Sequence, residues 1–206
     1  PGAPRFSIEA APQRLRVGVP QGDIPFFGDE RYESLYRASI DRMASRGADI
    51  IPIDYAPFAQ AAAMLYAGPW VAERLAAVGD LIHRNPDAIH PVVRSILLGA
   101  RDKTAVDAFQ AFYRLADLIR TARSEWAKMD VMLLPTAPTT FTIAEMLAHP
   151  VELNSRLGVY TNFANLMDLA ALAVPAGFRP DGIPFGVTVI GPALSDGVLA
   201  SVGEVL

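Results

Sequence analysis

The sequence predicts an α/β fold in which a mixed sheet is covered by helices. Three observations support this prediction. A strand, a helix and a second strand follow one another between Leu15 and Asp54. Thr104–Lys128 has the pattern of a long amphipathic helix, and two apolar runs near the end of the chain are joined by a turn. Alternating strands and helices of this kind build layered α/β domains.

Composition indicates a globular protein. Of the 206 residues, 51% are hydrophobic and 19% are charged, which suffices for a large core. The net charge is −4 and no run is rich in Lys or Arg, so we expect no nucleic acid partner. The sequence has no apolar window of membrane-spanning length and no signal-peptide pattern at its start, so we expect a cytoplasmic protein without a membrane partner.

Cysteine and histidine usage narrows the chemistry. The absence of Cys excludes disulfides, thiolate nucleophiles and Cys-ligated zinc. The three histidines, His83, His90 and His149, are too scattered along the sequence to suggest a metal site. We therefore predict that the chain binds no metal.

The first part of the chain predicts a βαβ unit. Leu15–Pro20 has the pattern of a buried strand that ends at a proline. A helix follows, with Asp29 as its N-cap and Gly47 just past its end. Asp49–Asp54 is the second strand, and Pro52 places it at a sheet edge or strand end. Two strands joined by a helix in this way run parallel with a right-handed crossover.

The middle of the chain is predicted to be helical and interrupted. Phe58–Ala67 and Trp70–His83 are two helices separated by the Gly68–Pro69 dipeptide, which stops the first and suits the first turn of the second. His90–Gly99 is a further short helix.

The longest predicted helix is Thr104–Lys128. Its apolar residues recur at helical spacing and form a broad face, so we expect this helix to lie across the sheet. The face comprises Val106, Phe109, Phe112, Tyr113, Leu115, Leu118, Ile119 and Trp126.

The last part of the chain predicts three more strands and a helix. Asp130–Pro135 is one strand. Ala170–Ala176 and Phe185–Ile190 do not alternate in polarity, so we expect both to be buried on both faces. Pro180–Gly182 is a turn sequence, which makes the two runs a hairpin or a close strand return. Asp196 begins the final predicted helix.

Catalytic motifs are missing from the sequence. It has no G-x-S-x-G nucleophile elbow, no S-x-x-K and neither of the common glycine-rich phosphate loops. On motifs alone, we assign no catalytic residue.

Three motifs in the last quarter of the chain resemble the amidase signature family. They are Thr161–Phe163, Ala173–Gly177 and Gly182–Val187. Within that family, three further segments are similar to the amidase domain of the allophanate hydrolases: Pro69–Ile82, Leu134–Thr139 and Asn154–Leu169. The resemblance begins near Leu15, continues to the end of the chain and keeps the order of the motifs.

The resemblance implies a division of the domain. Members of the family hydrolyse amide bonds with a Ser, cis-Ser, Lys triad that lies in the N-terminal half, upstream of anything similar to Leu15. We therefore expect residues 1–206 to be the C-terminal part of an amidase domain, without the catalytic half. Residues 1–14 would be an arm or linker, and residues 15–206 the α/β core.

The two lysines of the chain agree with this expectation. Lys103 lies in a polar loop and Lys128 follows the longest helix. Neither has the apolar surroundings that would lower a lysine pKa towards the range of a catalytic base. We predict that the isolated chain hydrolyses nothing.

Tyr66 and Arg74 are the principal site residues that the resemblance implies, because allophanate hydrolases hold the substrate carboxylate with a Tyr and an Arg eight residues apart. Unbroken helix would separate the pair by about 12 Å. The Gly68–Pro69 break could fold Tyr66 back towards the next helix. In the alternative interpretation, Arg74 pairs with an acidic neighbour and Tyr66 packs against other residues.

Arg156, Asn162 and Thr136 are further candidates for substrate binding. They lie in loops that resemble those of the family, so they could line the substrate pocket. An equally consistent alternative is that each bonds to loop backbone.

The resemblance implies hydrolysis of allophanate, with release of ammonia in urea degradation, and no cofactor. Expected partners are a small amide substrate that carries a carboxylate, the N-terminal half of the same domain, and a second copy of the chain, because open strand edges favour dimers. Two alternatives stay open. The chain could belong to another amidohydrolase of the family, or to a non-catalytic binding module derived from one.

Overall fold

A computed structural model describes residue 12, residues 14–204 and residue 206. Most of the arm expected for residues 1–14 lies outside the described residues. Five strands form the sheet in this part of the chain: β1 (Arg16–Pro20), β2 (Asp49–Ile53), β3 (Val131–Pro135), β4 (Leu169–Phe178) and β5 (Pro184–Pro192). Their order across the sheet is β2, β1, β3, β5, β4.

The sheet is mixed, as predicted. β1 runs parallel to β2 and to β3, so the expected βαβ unit is confirmed. β5 runs antiparallel to β3 on one side and to β4 on the other, which confirms the hairpin. The hairpin turn holds a hydrogen bond from the Gly182 N–H to the Arg179 carbonyl oxygen, and Gly182 has a φ of +82°. A positive φ is the reason for glycine at this position.

Helices cover both faces of the sheet. They are α1 (Glu30–Ser45), α2 (Ala56–Ala67), α3 (Trp70–Arg84), α4 (Pro91–Leu98), α5 (Ala105–Trp126), α6 (Ile143–Ala148), α7 (Pro150–Leu157), α8 (Asn162–Leu166) and α9 (Asp196–Gly203). Local signals explain several boundaries: Asp29 caps α1 by accepting from the Tyr32 N–H, and capping boxes begin α5 and α6.

Side chains of the central strands divide the core into two clusters. Val131 and Leu133 of β3 point to the face covered by α1 and α9. Met132 and Leu134, which alternate with them, point to the face covered by α2, α5 and α8. β3 is therefore buried along its whole length, and the sheet is the middle layer of three.

The prediction that both strands of the hairpin are buried on both faces is correct for β5 and wrong for β4. Leu172 and Val174 of β4 are half-buried and pack against the α1 and α9 side, whereas Ala171, Ala173 and Pro175 are exposed. β4 is the edge strand of the described sheet. On its second face Leu169, at the strand start, packs against the cluster beside α8, and no described element covers the rest of that face. Alanines occupy two of the exposed positions on that face. Because alanine is apolar, the sequence of β4 shows no alternation of polar and apolar residues, although the strand alternates in burial.

The apolar face predicted for α5 is buried only in the second half of the helix. Leu115, Leu118 and Ala122 are buried, so the second half packs against the sheet as expected. The apolar side chains of the first half, namely Val106, Phe109, Phe112 and Tyr113, are each more than half exposed. The helix is 22 residues long, and its first turns extend beyond the sheet. In the described part of the chain, no helix has both the length and the apolar character needed to cross a membrane.

Candidate functional site

The break between α2 and α3 organises the candidate site. Gly68 ends α2 with an extended backbone, and Pro69 precedes the first residue of α3. Proline has no N–H to donate and suits the start of a helix, so α3 begins in a new direction two residues after α2 ends.

Tyr66 and Arg74 lie together across this break. The guanidinium carbon of Arg74 is 5.4 Å from the centroid of the Tyr66 ring, which is the geometry of a cation–π contact. The folding back of Tyr66 that the Gly68–Pro69 dipeptide suggested is therefore present. Which ligand the two side chains bind stays a prediction.

Arg74 is free to bind an anion. In the described ranges, it forms no salt bridge with an Asp or Glu, although eight of the other arginines do. Tyr66 is 40% exposed and is not packed away. The ion pair that the alternative interpretation gave Arg74 is therefore not present in the described chain, whereas Tyr66 does pack against the Arg74 guanidinium.

A cleft of about 450 Å³ lies beside Tyr66. Its polar lining includes Tyr66, Ser95, Lys103, Asn154 and Ser155, contributed by α2, α4, α7 and the loop before α5. The Lys103 ammonium donates a hydrogen bond of 3.3 Å to the Ala67 carbonyl oxygen, at the last residue of α2. Because ligand sites are clefts with a few convergent polar groups, this cleft is the candidate site of the chain. Arg74 contacts Tyr66 but is not among the residues that line the cleft.

Lys103 and Asn154 are pocket residues that the sequence did not reveal as such. Lys103 lies in a polar loop, as predicted, but the loop folds back onto the end of α2. Asn154 belongs to a segment with family resemblance, yet no local pattern distinguishes it from a surface residue. Their place in the cleft depends on contacts between distant segments.

Arg156 makes its contacts outside the Tyr66 cleft. It donates to Oε1 of Glu152 at 2.6 Å, and its guanidinium carbon lies 5.1 Å from the centroid of the Phe27 ring. The contact with Phe27 joins α7 to the loop before α1, and the cleft lining does not include Arg156. Neither contact is the bond to loop backbone of the alternative interpretation, and a role of Arg156 in binding substrate stays a prediction.

Thr136 and Asn162 also lie outside the Tyr66 cleft. The Thr136 hydroxyl is 2.9 Å from the Thr188 hydroxyl, which joins the end of β3 to β5. The Asn162 side chain packs on Gly158. A Cβ at position 158 would lie 2.6 Å from the Asn162 amide oxygen. A role of these two residues in binding substrate stays a prediction.

Lys128, the second lysine of the chain, forms an ion pair with Glu125 of α5. The Lys128 ammonium is 2.7 Å from Oε1 of Glu125, and that carboxylate also accepts from the Asp54 N–H at 3.0 Å. Lys128 is thus part of a structural ion pair. Within the described residues, no group of three or more His, Asp or Glu side chains could hold a metal ion.

A second polar network, which the sequence did not reveal, joins the hairpin turn to α1. Arg179 lies 2.6 Å from Oδ2 of Asp181 and 3.2 Å from Oδ2 of Asp29. Its hydrogen bond to Asp181 lowers the pKa of that carboxyl below its usual value. Thr139, in the loop after β3, donates to the same oxygen of Asp29 at 2.9 Å. Residues distant in sequence therefore meet at two carboxylates.

Comparison with known proteins agrees with this architecture. The urea amidolyase of Lachancea kluyveri is 39% identical over 195 residues, which are 94% of this chain and 11% of that protein. A glutamyl-tRNA(Gln) amidotransferase subunit of Corynebacterium glutamicum is 28% identical over 218 residues, covering 90% of this chain and 44% of its own length. The chain thus spans a minor part of these relatives.

Among solved structures, the allophanate hydrolase of Kluyveromyces lactis matches with a TM-score of 0.93 and 36% identity, over 98% of this chain and 34% of that one. The model of the amidase family matches residues 3–199. This match covers nearly the whole sequence and includes all five strands, so the chain belongs to the amidase family.

Proposed function

We propose that the chain is the C-terminal part of the amidase domain of an allophanate hydrolase. The complete protein would hydrolyse the amide bond of allophanate and release ammonia in the degradation of urea. Support comes from the similarity to the Lachancea kluyveri urea amidolyase and from the likeness to the Kluyveromyces lactis allophanate hydrolase. Both are stronger than the similarity to the tRNA amidotransferase.

The pairing of Arg74 with the Tyr66 ring is the observation that carries the proposal. Allophanate has a carboxylate, and a guanidinium can bind a carboxylate through two parallel hydrogen bonds. The guanidinium carbon of Arg74 lies over the Tyr66 ring, 5.4 Å from its centroid, and the N–H edge of the guanidinium would bind the carboxylate. No described carboxylate competes for that edge.

The chain would supply recognition and scaffold, while the Ser, cis-Ser, Lys triad would come from the N-terminal half of the domain. The uncovered face of β4, with Ala171, Ala173 and Pro175, is a surface on which that half could pack. We also propose that the complete protein is cytoplasmic and forms a homodimer.

The substitution Arg74→Lys in the complete amidase domain tests the proposal. Lysine keeps the charge and loses the two parallel hydrogen bonds, so KM for allophanate should rise about tenfold or more while kcat changes little. Arg120→Lys is the matched control, because Arg120 is exposed on α5 and pairs with Asp117. An unchanged KM in Arg74→Lys would refute the role of Arg74.

Substrate comparison separates the alternatives. An allophanate hydrolase should prefer allophanate to a neutral amide of the same size, and Arg74→Lys should remove that preference. Equal turnover of both amides in the wild-type protein would favour another amidohydrolase of the family. Absence of ammonia release from the full-length protein would favour a non-catalytic binding module.

A further inference from the structure

Trp70 lies at the start of α3, beside the break that brings Tyr66 and Arg74 together. Its ring packs directly on Gly68. A Cβ at position 68 would lie 2.8 Å from two ring carbons of Trp70 and 2.5 Å from the Met64 carbonyl oxygen. Both distances are shorter than a real Cβ contact, so only glycine fits at this position.

The Trp70 ring also meets α5. The ring centroids of Trp70 and Phe112 are 5.9 Å apart with an interplanar angle of 69°, a favourable edge-to-face contact. Trp70 also packs against the core cluster between α2 and α5. The half-buried indole therefore packs between the Gly68 backbone and Phe112 of α5, and it also lines a cleft of about 430 Å³ beside the first turns of α5. A ring in contact with both the break and α5 constrains the direction in which α3 leaves the break.

That direction determines the separation of Arg74 from Tyr66. Two residues link the helices, so α3 can tilt about Gly68. Arg74 is six residues further on, about 9 Å along the helix, and a tilt of about 10° would displace it by roughly 1.5 Å. A displacement of this size in a group that binds the substrate weakens that binding, and it should therefore appear in KM.

We propose that Trp70 is a positioning residue for the carboxylate site. It holds Arg74 at the Tyr66 ring by filling the space beside Gly68, and it does not itself contact the substrate. The expected effect of Trp70 on KM rests on the proposed function of Tyr66 and Arg74. The expected effect on the distance between Arg74 and the Tyr66 ring does not.

Substitution of the two tryptophans in the complete amidase domain tests the proposal. Trp70→Leu should raise KM for allophanate about tenfold with kcat within about twofold, and Trp70→Phe should restore most of the affinity. Trp126→Leu is the matched control, since Trp126 makes a similar edge-to-face contact with Phe58 at 5.9 Å, away from the cleft. It should lower the unfolding midpoint and leave KM unchanged.

Coupling to Arg74 separates positioning from general stability. If Trp70 acts through Arg74, then Trp70→Leu should not raise KM further in an Arg74→Ala background. The proposal is overturned if the two substitutions raise KM independently, or if Trp126→Leu raises KM as much as Trp70→Leu does.

A crystal structure of the Trp70→Phe and Trp70→Leu variants gives a readout besides activity. The proposal expects the distance from the Arg74 guanidinium carbon to the Tyr66 ring to exceed about 6 Å, the limit of a cation–π contact, in Trp70→Leu. A distance still at its original value overturns the positioning role. A longer distance with unchanged KM supports positioning and counts against the proposed carboxylate site.

Discussion

Arg16 and Asp130 join the beginnings of β1 and β3 through both backbone and side chains. The Arg16 N–H donates to Oδ2 of Asp130 at 2.8 Å, and one guanidinium nitrogen lies 2.7 Å from Oδ1. The Asp130 N–H in turn donates to the Arg16 carbonyl oxygen at 2.8 Å. The parallel pairing of β1 with β3 begins one residue further along each strand. The Arg16–Asp130 contacts therefore hold the two strands together at the start of this pairing.

Because of Asp130, the free energy of unfolding should decrease at acid pH. Hydrogen bonds from Arg16 lower the pKa of Asp130, so its contribution is complete above the unfolded pKa of about 3.9 and is lost as pH falls through the folded value. Asp130→Asn should reduce the free energy of unfolding at pH 7 by about 1 kcal/mol and weaken the loss of stability in acid. Urea unfolding at several pH values measures both effects.

An exposed aspartate serves as the control for that experiment. Asp117→Asn breaks only a surface pair with Arg120 and should change the free energy of unfolding by less than about 0.5 kcal/mol. If Asp130→Asn has the same acid dependence as the wild-type protein, Asp130 is not the titrating group.

Asp29 should contribute more to the free energy of unfolding than an ordinary helix cap does. It accepts from the Tyr32 N–H at 3.1 Å and also holds Thr139 and Arg179. Asp29→Ala removes the cap and leaves the largely buried guanidinium with fewer partners, so we expect a loss of about 2 kcal/mol. Thr142→Ala, which removes the cap of the exposed helix α6, should cost about 1 kcal/mol or less in the same denaturant titration. Equal costs would contradict the additional role of Asp29.

Two glycines should respond to alanine with opposite signs. Gly79 lies inside α3 and a Cβ there meets no atom within 4 Å, so Gly79→Ala should stabilise the protein by up to about 1 kcal/mol. Gly47 has a φ of +91° after the end of α1, so Gly47→Ala should destabilise it by about 1 kcal/mol. Thermal unfolding of both variants checks the signs, and stabilisation by Gly47→Ala would show that the turn is not strained by a side chain.

The two halves of α5 should differ in their sensitivity to substitution. Leu118 is 4% exposed in the second half, and Leu118→Ala should cost about 2–4 kcal/mol. Phe109 is 60% exposed in the first half, and Phe109→Ser should cost about 0.5 kcal/mol or less in a monomer. Sedimentation of both variants is informative, because a change in oligomeric state caused by Phe109→Ser would place the exposed first half of α5 in the proposed dimer.

Local sequence signals account for most of the fold. Asp29 and Gly47 mark helix ends where the structure has them. Such signals work because each depends on the φ, ψ and hydrogen bonds of a few neighbouring residues. The Gly68–Pro69 dipeptide is of the same kind, and it explains the approach of Tyr66 to Arg74.

Long-range features could not be predicted in this way. Lys103 reaches Ala67 across 36 positions, and Arg179 reaches Asp29 across 150. No pattern within a short window encodes either contact. The exposure of Ala171 and Ala173 was missed for a related reason: burial of a small apolar residue depends on what other segments cover it.

The coverage of β3 also has a consequence for the order in which the sheet opens. Both faces of β3 are buried, and β1 and β5 occupy its two edges. Its backbone amides should therefore exchange with deuterated water only when the entire sheet unfolds, whereas amides of β4 should exchange through local opening. The loop that carries Thr139 directly follows β3, so the Asp29 network is attached to the strand that we expect to exchange most slowly.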